Sequence, residues 1–123
     1  HISQLSRLLQ MSVDFNKHDS DGFTALHRAV KLDRIEAVKW LSNCSTVHIN
    51  SKDNNGNSPL MLAIELNKIE TANILIEAGA EVKLKNNVRS TPLHIAANKG
   101  QINLCKLLLE KGVKIDELNM KRK

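Results

Sequence analysis

The chain has 123 residues, of which 41% are hydrophobic and 25% are charged. This composition is ordinary for one globular domain, and no apolar run reaches the roughly 18 residues that a membrane-spanning helix needs. Aromatic residues make up only 2% of the chain, which argues against a nucleic-acid module that stacks bases on aromatic rings.

The formal net charge of +5 is distributed unevenly along the chain. Residues 1–82 carry eight Lys/Arg and ten Asp/Glu, whereas residues 83–123 carry ten Lys/Arg and three Asp/Glu. The last third is therefore strongly basic, and this polarity influences which partners approach each end.

The first apolar stretch contains Leu5, Leu8 and Leu9 and is followed by Val13-Asp-Phe-Asn16. Apolar residues three and four positions apart predict a helix with one buried face. Residues 1–16 are thus predicted to form a helix and the turn that closes it.

Three segments downstream repeat one pattern at intervals of 33 or 34 residues. Their leucines, Leu26, Leu60 and Leu93, are 34 and 33 residues apart. A fixed period of this length is the signature of a stacked-repeat architecture. In chain order the segments are Asp19-Ser-Asp-Gly-Phe-Thr-Ala-Leu-His27, Asp53-Asn-Asn-Gly-Asn-Ser-Pro-Leu-Met61 and Asn86-Asn-Val-Arg-Ser-Thr-Pro-Leu-His94.

Each segment predicts a turn followed by a short helix. Asp or Asn opens a turn in which glycine accepts a positive φ, and the next Thr or Ser is a helix N-cap. Pro59 and Pro92 suit the first helical position, because the backbone N–H that proline lacks would have no partner within the helix there. Asp33, Asn67 and Gly100 then share one position, and all three residue types tolerate the left-handed conformation that ends a helix.

A second helix follows in each unit, with apolar residues at helical spacing that we interpret as its packing face. These residues are Ile35/Val38/Leu41, Ile69/Ala72/Leu75 and Ile102/Cys105/Leu108. The chain thus divides into a partial repeat (1–16), three full repeats (17–50, 51–83 and 84–116) and the stub of another (117–123). Arg89 stands where the first two turns have glycine, so we expect strain in the third turn.

The pattern resembles the ankyrin-repeat family, whose unit of about 33 residues carries a Thr-Pro-Leu-His-x-Ala signature. Thr91-Pro-Leu-His94 matches this signature, whereas Ala25 and Met61 depart from it. The resemblance implies an all-α solenoid of helix-turn-helix units with β-hairpin-like turns. It also implies a protein–protein interaction module. Two narrower versions stay open: an inhibitor-type regulator of transcription-factor signalling similar to the NF-κB inhibitors, and a structural segment of a larger ankyrin-bearing scaffold, channel or toxin.

We expect no catalytic, cofactor or metal site in this chain. His27 and His94 match the signature histidine, which in the family hydrogen-bonds the neighbouring turn. Asp19-Ser-Asp-Gly22 is similar to part of a calcium-binding loop, but Lys17 and Arg28 occupy two positions that would have to supply ligands. No nucleophile–base pair and no Gly-rich phosphate loop can be assembled from the pattern, so we predict no enzymatic activity.

The expected partner-binding surface is the concave side of the solenoid, where the turn tips and the first helices lie. Positions there that neither cap nor pack are free to hold a partner. Phe23, Leu32, Leu66 and Val88 are apolar, gain nothing from the core and suit the role of interface anchors. The full predicted set is Ser20, Asp21, Phe23, Lys31, Leu32, Asn54, Asn55, Asn57, Glu65, Leu66, Asn87, Val88, Ser90, Asn98 and Lys99.

The basic last third favours an acidic protein partner at that end. We do not expect nucleic-acid binding, because the cations are spread over turns, helix faces and tail without a base-reading element. Residues 1–12 lack a signal-peptide pattern, and Cys44 and Cys105 stand isolated, which favours a cytoplasmic or nuclear setting. No membrane insertion is expected.

One modification follows from the resemblance alone. Asparagines that close ankyrin repeats, preceded by an acidic and an apolar residue and by a leucine eight positions back, are similar to substrates of asparaginyl hydroxylases. Asn16 fits this description, with Leu8, Asp14 and Phe15 in place. Hydroxylation of Asn16 is therefore a hypothesis of the sequence.

Overall fold

The computed structural model describes residues 14–112, and its regular structure in this range is helical, with no strand assigned there. The all-α repeat architecture is therefore confirmed. The predicted helix around Leu5, Leu8 and Leu9 and the predicted stub at residues 117–123 lie outside the described residues. The helices are α1 (Ala25–Lys31), α2 (Ile35–Ser42), α3 (Pro59–Glu65), α4 (Ile69–Glu77), α5 (Pro92–Asn98) and α6 (Ile102–Lys111).

The helices form two layers with the core between them. The first helices of the repeats, α1, α3 and α5, pack side by side, and the second helices, α2, α4 and α6, form the other layer. Leu26, Leu60, Leu75 and Leu108 are fully buried between the layers. Burial of one such leucine side chain contributes about 2 kcal/mol. Since helices of seven to ten residues are marginal alone in water, this packing stabilises them.

Each first helix begins at a hydroxyl side chain that accepts a hydrogen bond from a backbone N–H of the first turn. The side-chain oxygens of Thr24, Ser58 and Thr91 cap α1, α3 and α5 in this way. Pro59 and Pro92 occupy the first helical position, as the pattern predicts. Such a cap contributes about 1 kcal/mol, which matters in a helix of only seven residues.

Each first helix ends in the same left-handed motif. Asp33, Asn67 and Gly100 have φ of 61°, 62° and 73°, so the predicted helix ends are confirmed. The following N–H groups reach back to the last turn; in α1, the N–H of Arg34 donates to the carbonyl of Ala29 at 2.9 Å. This is the Schellman arrangement, which satisfies carbonyls that the helix end would otherwise leave unpaired.

The turns before the first helices are organised by one side-chain oxygen each. Oδ1 of Asp19, Asp53 and Asn86 accepts hydrogen bonds from the N–H groups two and four residues later, at 2.9 to 3.1 Å. The third residue after each of them has a positive φ. Arg89 takes this position in the last turn with φ of 67°, which confirms the expected backbone strain, because this region disfavours side chains that carry a Cβ.

Consecutive turns are joined by asparagines, and we name this set of contacts the turn ladder. The backbone N–H of Asn54 donates to Asp21 O at 3.4 Å and its Nδ2 donates to Ser20 O at 3.2 Å. One repeat later, Asn87 makes the equivalent bonds to Asn55 O at 3.0 Å and to Asn54 O at 2.9 Å. The ladder therefore fixes how each turn sits on the one before it.

Two residues assigned to packing faces by their spacing lie at the surface instead. Ile69 and Ile102 are 37% and 63% exposed, because each is the first residue of its helix and lies at the margin of the layer. Trp40 and Cys105 are half-buried and pack against the core. Trp40 meets the edge of Phe15 with ring centroids 5.9 Å apart.

The turn glycines that contact the ladder asparagines should tolerate substitution much less well than a glycine that ends a helix. Gly56 and Gly100 both have positive φ, so alanine at either one adds left-handed strain of about 1 kcal/mol. A Cβ on Gly56 would lie 2.6 Å from the backbone N of Asn87, whereas a Cβ on Gly100 would meet nothing within 4 Å. We expect Gly56→Ala to cost about 2 kcal/mol more than Gly100→Ala in urea unfolding followed by circular dichroism. Equal losses would contradict the close approach in the ladder.

Candidate functional site

The predicted partner-binding residues lie on one surface, which we name the first-helix surface. It comprises the three turns (residues 19–23, 53–57 and 86–90), the exposed faces of α1, α3 and α5, and the loop residues that end these helices. The ladder places the turns next to one another, and the first helices pack side by side. Residues far apart in the sequence are thus neighbours on this surface.

Three of the four predicted apolar anchors are exposed. Leu32 is 56%, Leu66 is 39% and Val88 is 77% accessible to solvent. Leu32 and Leu66 occupy the same place in successive repeats, as the C-cap residues of α1 and α3. The surface therefore presents apolar side chains at a regular interval without using them in the core.

The fourth anchor, Phe23, contributes to the core, so the expectation that it gains nothing there is wrong. Its half-buried ring packs against the core cluster and stacks on His27 at 5.6 Å between centroids. The Arg28 guanidinium and Lys31 Nζ lie 4.8 and 5.4 Å from the ring centroid. The side chain folds back from the turn over the start of α1, a contact that the repeat register alone does not reveal.

Several predicted asparagines are structural rather than free. Asn54 and Asn87 build the turn ladder, and Oδ1 of Asn57 accepts from Asn86 Nδ2 at 2.9 Å. Their side chains are already engaged, so the expectation that these positions are free is wrong for all three. The recurrence of Asn at one register position in the second and third turns was the available signal for a shared structural role.

The remaining polar positions divide into accessible and constrained ones. The exposed side chains of Asn55 and Asn98 have no hydrogen-bond partner among residues 14–112 and project from the surface. Ser20 and Ser90 belong to the turn framework: the carbonyl of Ser20 accepts from Asn54, and the N–H of Ser90 donates to Asn86 Oδ1. Both bonds use backbone groups, so the two serine hydroxyl groups take no part in them.

Several charged side chains of the surface form pairs within the chain. Arg28 pairs with Asp19 and, at 3.4 Å, with Asp21. The hydrogen bond from Arg28 lowers the pKa of Asp19 below its usual range, so this carboxylate stays ionised. Glu65 and Lys99 pair across neighbouring repeats at 3.8 Å. Pairs as exposed as these contribute little stability, but they determine which charges of the surface stay uncompensated.

His27 has a structural role, which confirms the interpretation made from its position. Its backbone N–H donates to Thr24 Oγ1 and its Nδ1 accepts from the Thr24 N–H at 3.2 Å, forming a capping box. Its Nε2 lies 2.9 Å from the carbonyl of Asn57 in the next turn. The neutral ring with the proton on Nε2 satisfies both contacts. His94 makes the same capping contacts with Thr91, and the turn that would follow it lies outside the described residues.

Burial lowers the pKa of His27 below its ordinary 6.5, although the hydrogen bond to Asn57 O and the charge of Asp53 oppose the shift. Asp53 is itself buried, and its Oδ2 has no hydrogen-bond partner in the described part of the chain. The equivalent Asp19 is paired by Arg28, but Leu62 stands at the register position of Arg28 in the second repeat. Asp53 therefore adds an uncompensated carboxylate near His27.

The free energy of unfolding should fall as the pH drops below 6.5. Because the folded-state pKa of His27 lies below this value, the unfolded chain binds the proton first. The contribution of His27 is thus complete above pH 6.5 and is lost as the pH falls through the folded-state pKa. Urea titrations at several pH values should show this loss, and His27→Gln should flatten it. His94→Gln removes an exposed imidazole and is the control; a decline unchanged by His27→Gln would contradict the assignment.

Residues 14–112 hold neither a metal-binding cluster nor a membrane-spanning helix. Residues 14–112 contain no group of three or more His, Cys, Asp or Glu placed to hold a metal ion. Over the same range no helix combines the length and apolar character required to cross a membrane. The calcium-like segment has a turn role, since Asp19 binds two backbone N–H groups and Arg28. Cys44 and Cys105 are both free thiols.

Three surface hollows lie along the second helices. One of about 350 Å³ lies between α2 and α4, one of about 400 Å³ lies at the start of α2, and one of about 180 Å³ lies between the starts of α4 and α6. Their linings include Lys39, Glu70 and Ile74, then Arg34 and Ile35, and then Ile69 and Ile102. No residue predicted to bind a partner lines any of these three hollows.

The side chain of Asn16 connects the first described turn to the next loop. Its Nδ2 donates to Thr46 O at 2.8 Å and its Oδ1 accepts from His48 N at 2.7 Å. Leu8, on which the hydroxylation hypothesis also depends, lies outside the described residues. Hydroxylation of Asn16 stays a prediction, and an unmodified mass for the Asn16 peptide from natively expressed protein would contradict it.

Comparison with known proteins agrees with the repeat geometry. A family model described as ankyrin repeats, in three copies, matches residues 1–86 and 47–119. These two overlapping matches cover nearly the whole chain. A search of curated proteins found no significant match.

Proposed function

The chain belongs to the ankyrin-repeat family, and from this membership we propose that it binds a partner protein through the first-helix surface. Ankyrin repeats are generally protein–protein interaction modules and typically carry no catalytic function. The observation that supports the location is the exposure of Leu32, Leu66 and Val88 on a side of the molecule where they contribute little to folding.

Apolar side chains on a fixed framework suit an interface. Burying about 100 Å² of apolar surface in a complex gains roughly 2.5 kcal/mol before the costs of association. The ladder and the Schellman ends hold the surrounding backbone in place, so little ordering entropy is lost on binding. Exposed polar side chains such as Asn55 and Asn98 surround the apolar ones, as in the rim of a typical interface.

The charge of the third repeat supports a proposal about the partner. In the described residues from 83 onward, Glu110 is the single acid, and Lys and Arg residues outnumber it. We expect a partner that is acidic toward this end, and nucleic acid is not proposed because no base-reading element accompanies the charge. The free thiols Cys44 and Cys105 support a reducing, cytoplasmic or nuclear setting.

The double change Leu32→Ala/Leu66→Ala should weaken partner binding by about 2 kcal/mol or more. Leu32 is 56% and Leu66 is 39% exposed, and neither lies in the buried core, so the free energy of unfolding should change by about 1 kcal/mol or less per site. Affinity capture with the full chain, read by quantitative mass spectrometry, identifies proteins that the double variant fails to retain. Their affinity for both forms is then measured by calorimetry.

Leu109→Ala is the matched control. Leu109 is 38% exposed, nearly the same as Leu66 at 39%, but it lies on the second helix of its repeat. It should retain every captured protein. Partners lost with Leu109→Ala and kept by the double variant would place the interface on the second helices and contradict the proposal.

A further inference from the structure

The accessible carboxylates of the first-helix surface are all neutralised within the chain. In the described residues, Asp19 and Asp21 pair with Arg28, Asp33 pairs with Lys68 at 3.9 Å, and Glu65 pairs with Lys99. Asp53 is buried and presents no charge to a partner in contact with the surface. Thus no accessible acid of this surface remains without a cation.

Three cations of the same surface have no acidic partner in residues 14–112. They are Lys31 on α1, Arg34 in the loop after it, and Arg89 at the tip of the third turn. Lys31 contacts the ring of Phe23 but no carboxylate. The side chains of Arg34 and Arg89 are exposed. The uncompensated charge of the surface is therefore wholly positive.

The unpaired cations are close in the sequence to the exposed apolar residues. Lys31 precedes Leu32, Arg34 follows it by two residues as the N-cap residue of α2, and Arg89 follows Val88. Leu66, in contrast, lies between Glu65 and Lys68, which are both paired. The surface thus presents two places where an apolar contact and an unsatisfied cation occur together, and one that is apolar and electrically neutral.

We propose that the first-helix surface recognises an acidic and apolar protein segment. One apolar side chain of the segment contacts Leu32, with a carboxylate beside it that meets Lys31 and Arg34, and a second apolar side chain contacts Leu66. This inference rests on the proposed function and specifies the partner's chemistry. An acidic segment is favoured over a basic one because every accessible acid on the surface is already paired and three cations are not.

The repeat spacing limits how the apolar side chains of the segment are arranged. Neighbouring helices pack about 8–10 Å apart, and Leu32 and Leu66 occupy equivalent ends of α1 and α3. An extended segment in the polyproline II conformation covers about 9 Å in three residues, which is one full turn and brings the side chain back to the same face. A helical segment covers about 10 Å in seven residues and returns to the same face. The two apolar residues are therefore three apart in an extended partner or seven apart in a helical one.

Display selection on the full 123-residue chain tests the inference. The probe is a peptide library with two apolar residues fixed at either spacing and all other positions random, so segments of the proposed chemistry are present by design. We expect selected peptides to be enriched in Asp and Glu beside the first apolar residue. Their affinity should fall at least tenfold with Lys31→Gln/Arg34→Gln and should decline as salt rises.

Lys106→Gln is the matched control, because Lys106 is an exposed cation on the second helix α6. It should leave the affinity of the selected peptides unchanged. Circular dichroism melts of all variants verify that they fold. A single-stranded DNA oligonucleotide serves as the competitor. If it displaces the selected peptides with equal affinity, the preference for a protein segment is overturned.

The remaining outcomes separate the inference from the proposed function. Peptides that need Leu32 and Leu66 but show no acidic enrichment, and are unaffected by Lys31→Gln/Arg34→Gln, would overturn the inference and leave the proposed function intact. Peptides unaffected by Leu32→Ala/Leu66→Ala would contradict both. A selection that enriches no sequence would also contradict the inference, since the library contains the proposed segment.

Discussion

The contact between consecutive turns, in which an asparagine amide donates to the carbonyl of the turn before it, is the constraint on which the rest of the structure depends. Asn54 and Asn87 make this contact only because the glycines of the preceding turns carry no Cβ. His27 adds a second bond between repeats through the carbonyl of Asn57. Short helices have little stability alone, so these bonds fix the register in which their apolar faces meet. A change at a turn glycine therefore acts on the whole stack.

A fixed register also explains why some apolar side chains stay accessible on the first-helix surface, through which we propose that the chain binds a partner. Packing between repeats buries the apolar faces that lie between the two layers, including Leu60 and Leu75. The ends of the first helices lie outside that contact, and Leu32 and Leu66 stay accessible there. Because the backbone around them is bonded at both ends of each helix, a partner meets a surface that needs little rearrangement. The cations of this surface differ in a similar way. Lys68 and Lys99 pair with an acid of the neighbouring repeat and Arg28 pairs with acids of its own turn, whereas Lys31, Arg34 and Arg89 have no acidic partner in residues 14–112.

The sequence predicts the features that repeat and misses those that depend on neighbours. The 33- and 34-residue spacing, the caps at Thr24 and Thr91 and the left-handed positions Asp33 and Asn67 follow from local chemistry, and the structure confirms them. Phe23 was assigned to the surface because register does not show that its ring folds onto His27. Ile69 and Ile102 fit a helical packing face, but as first residues of their helices they lie at the layer's margin. The pairing of Glu65 with Lys99 joins residues of different repeats and is not visible in either one alone.

Hydrogen–deuterium exchange on the chain, free and bound to a captured partner, tests the central claim most directly. It reports protection of backbone amides along the whole chain without any substitution, so it does not depend on which side chains are chosen for mutation. We expect added protection in the turns and in α1, α3 and α5, concentrated around the ends of α1 and α3. Protection confined to α2, α4 and α6, with the turns and first helices unchanged, would contradict it.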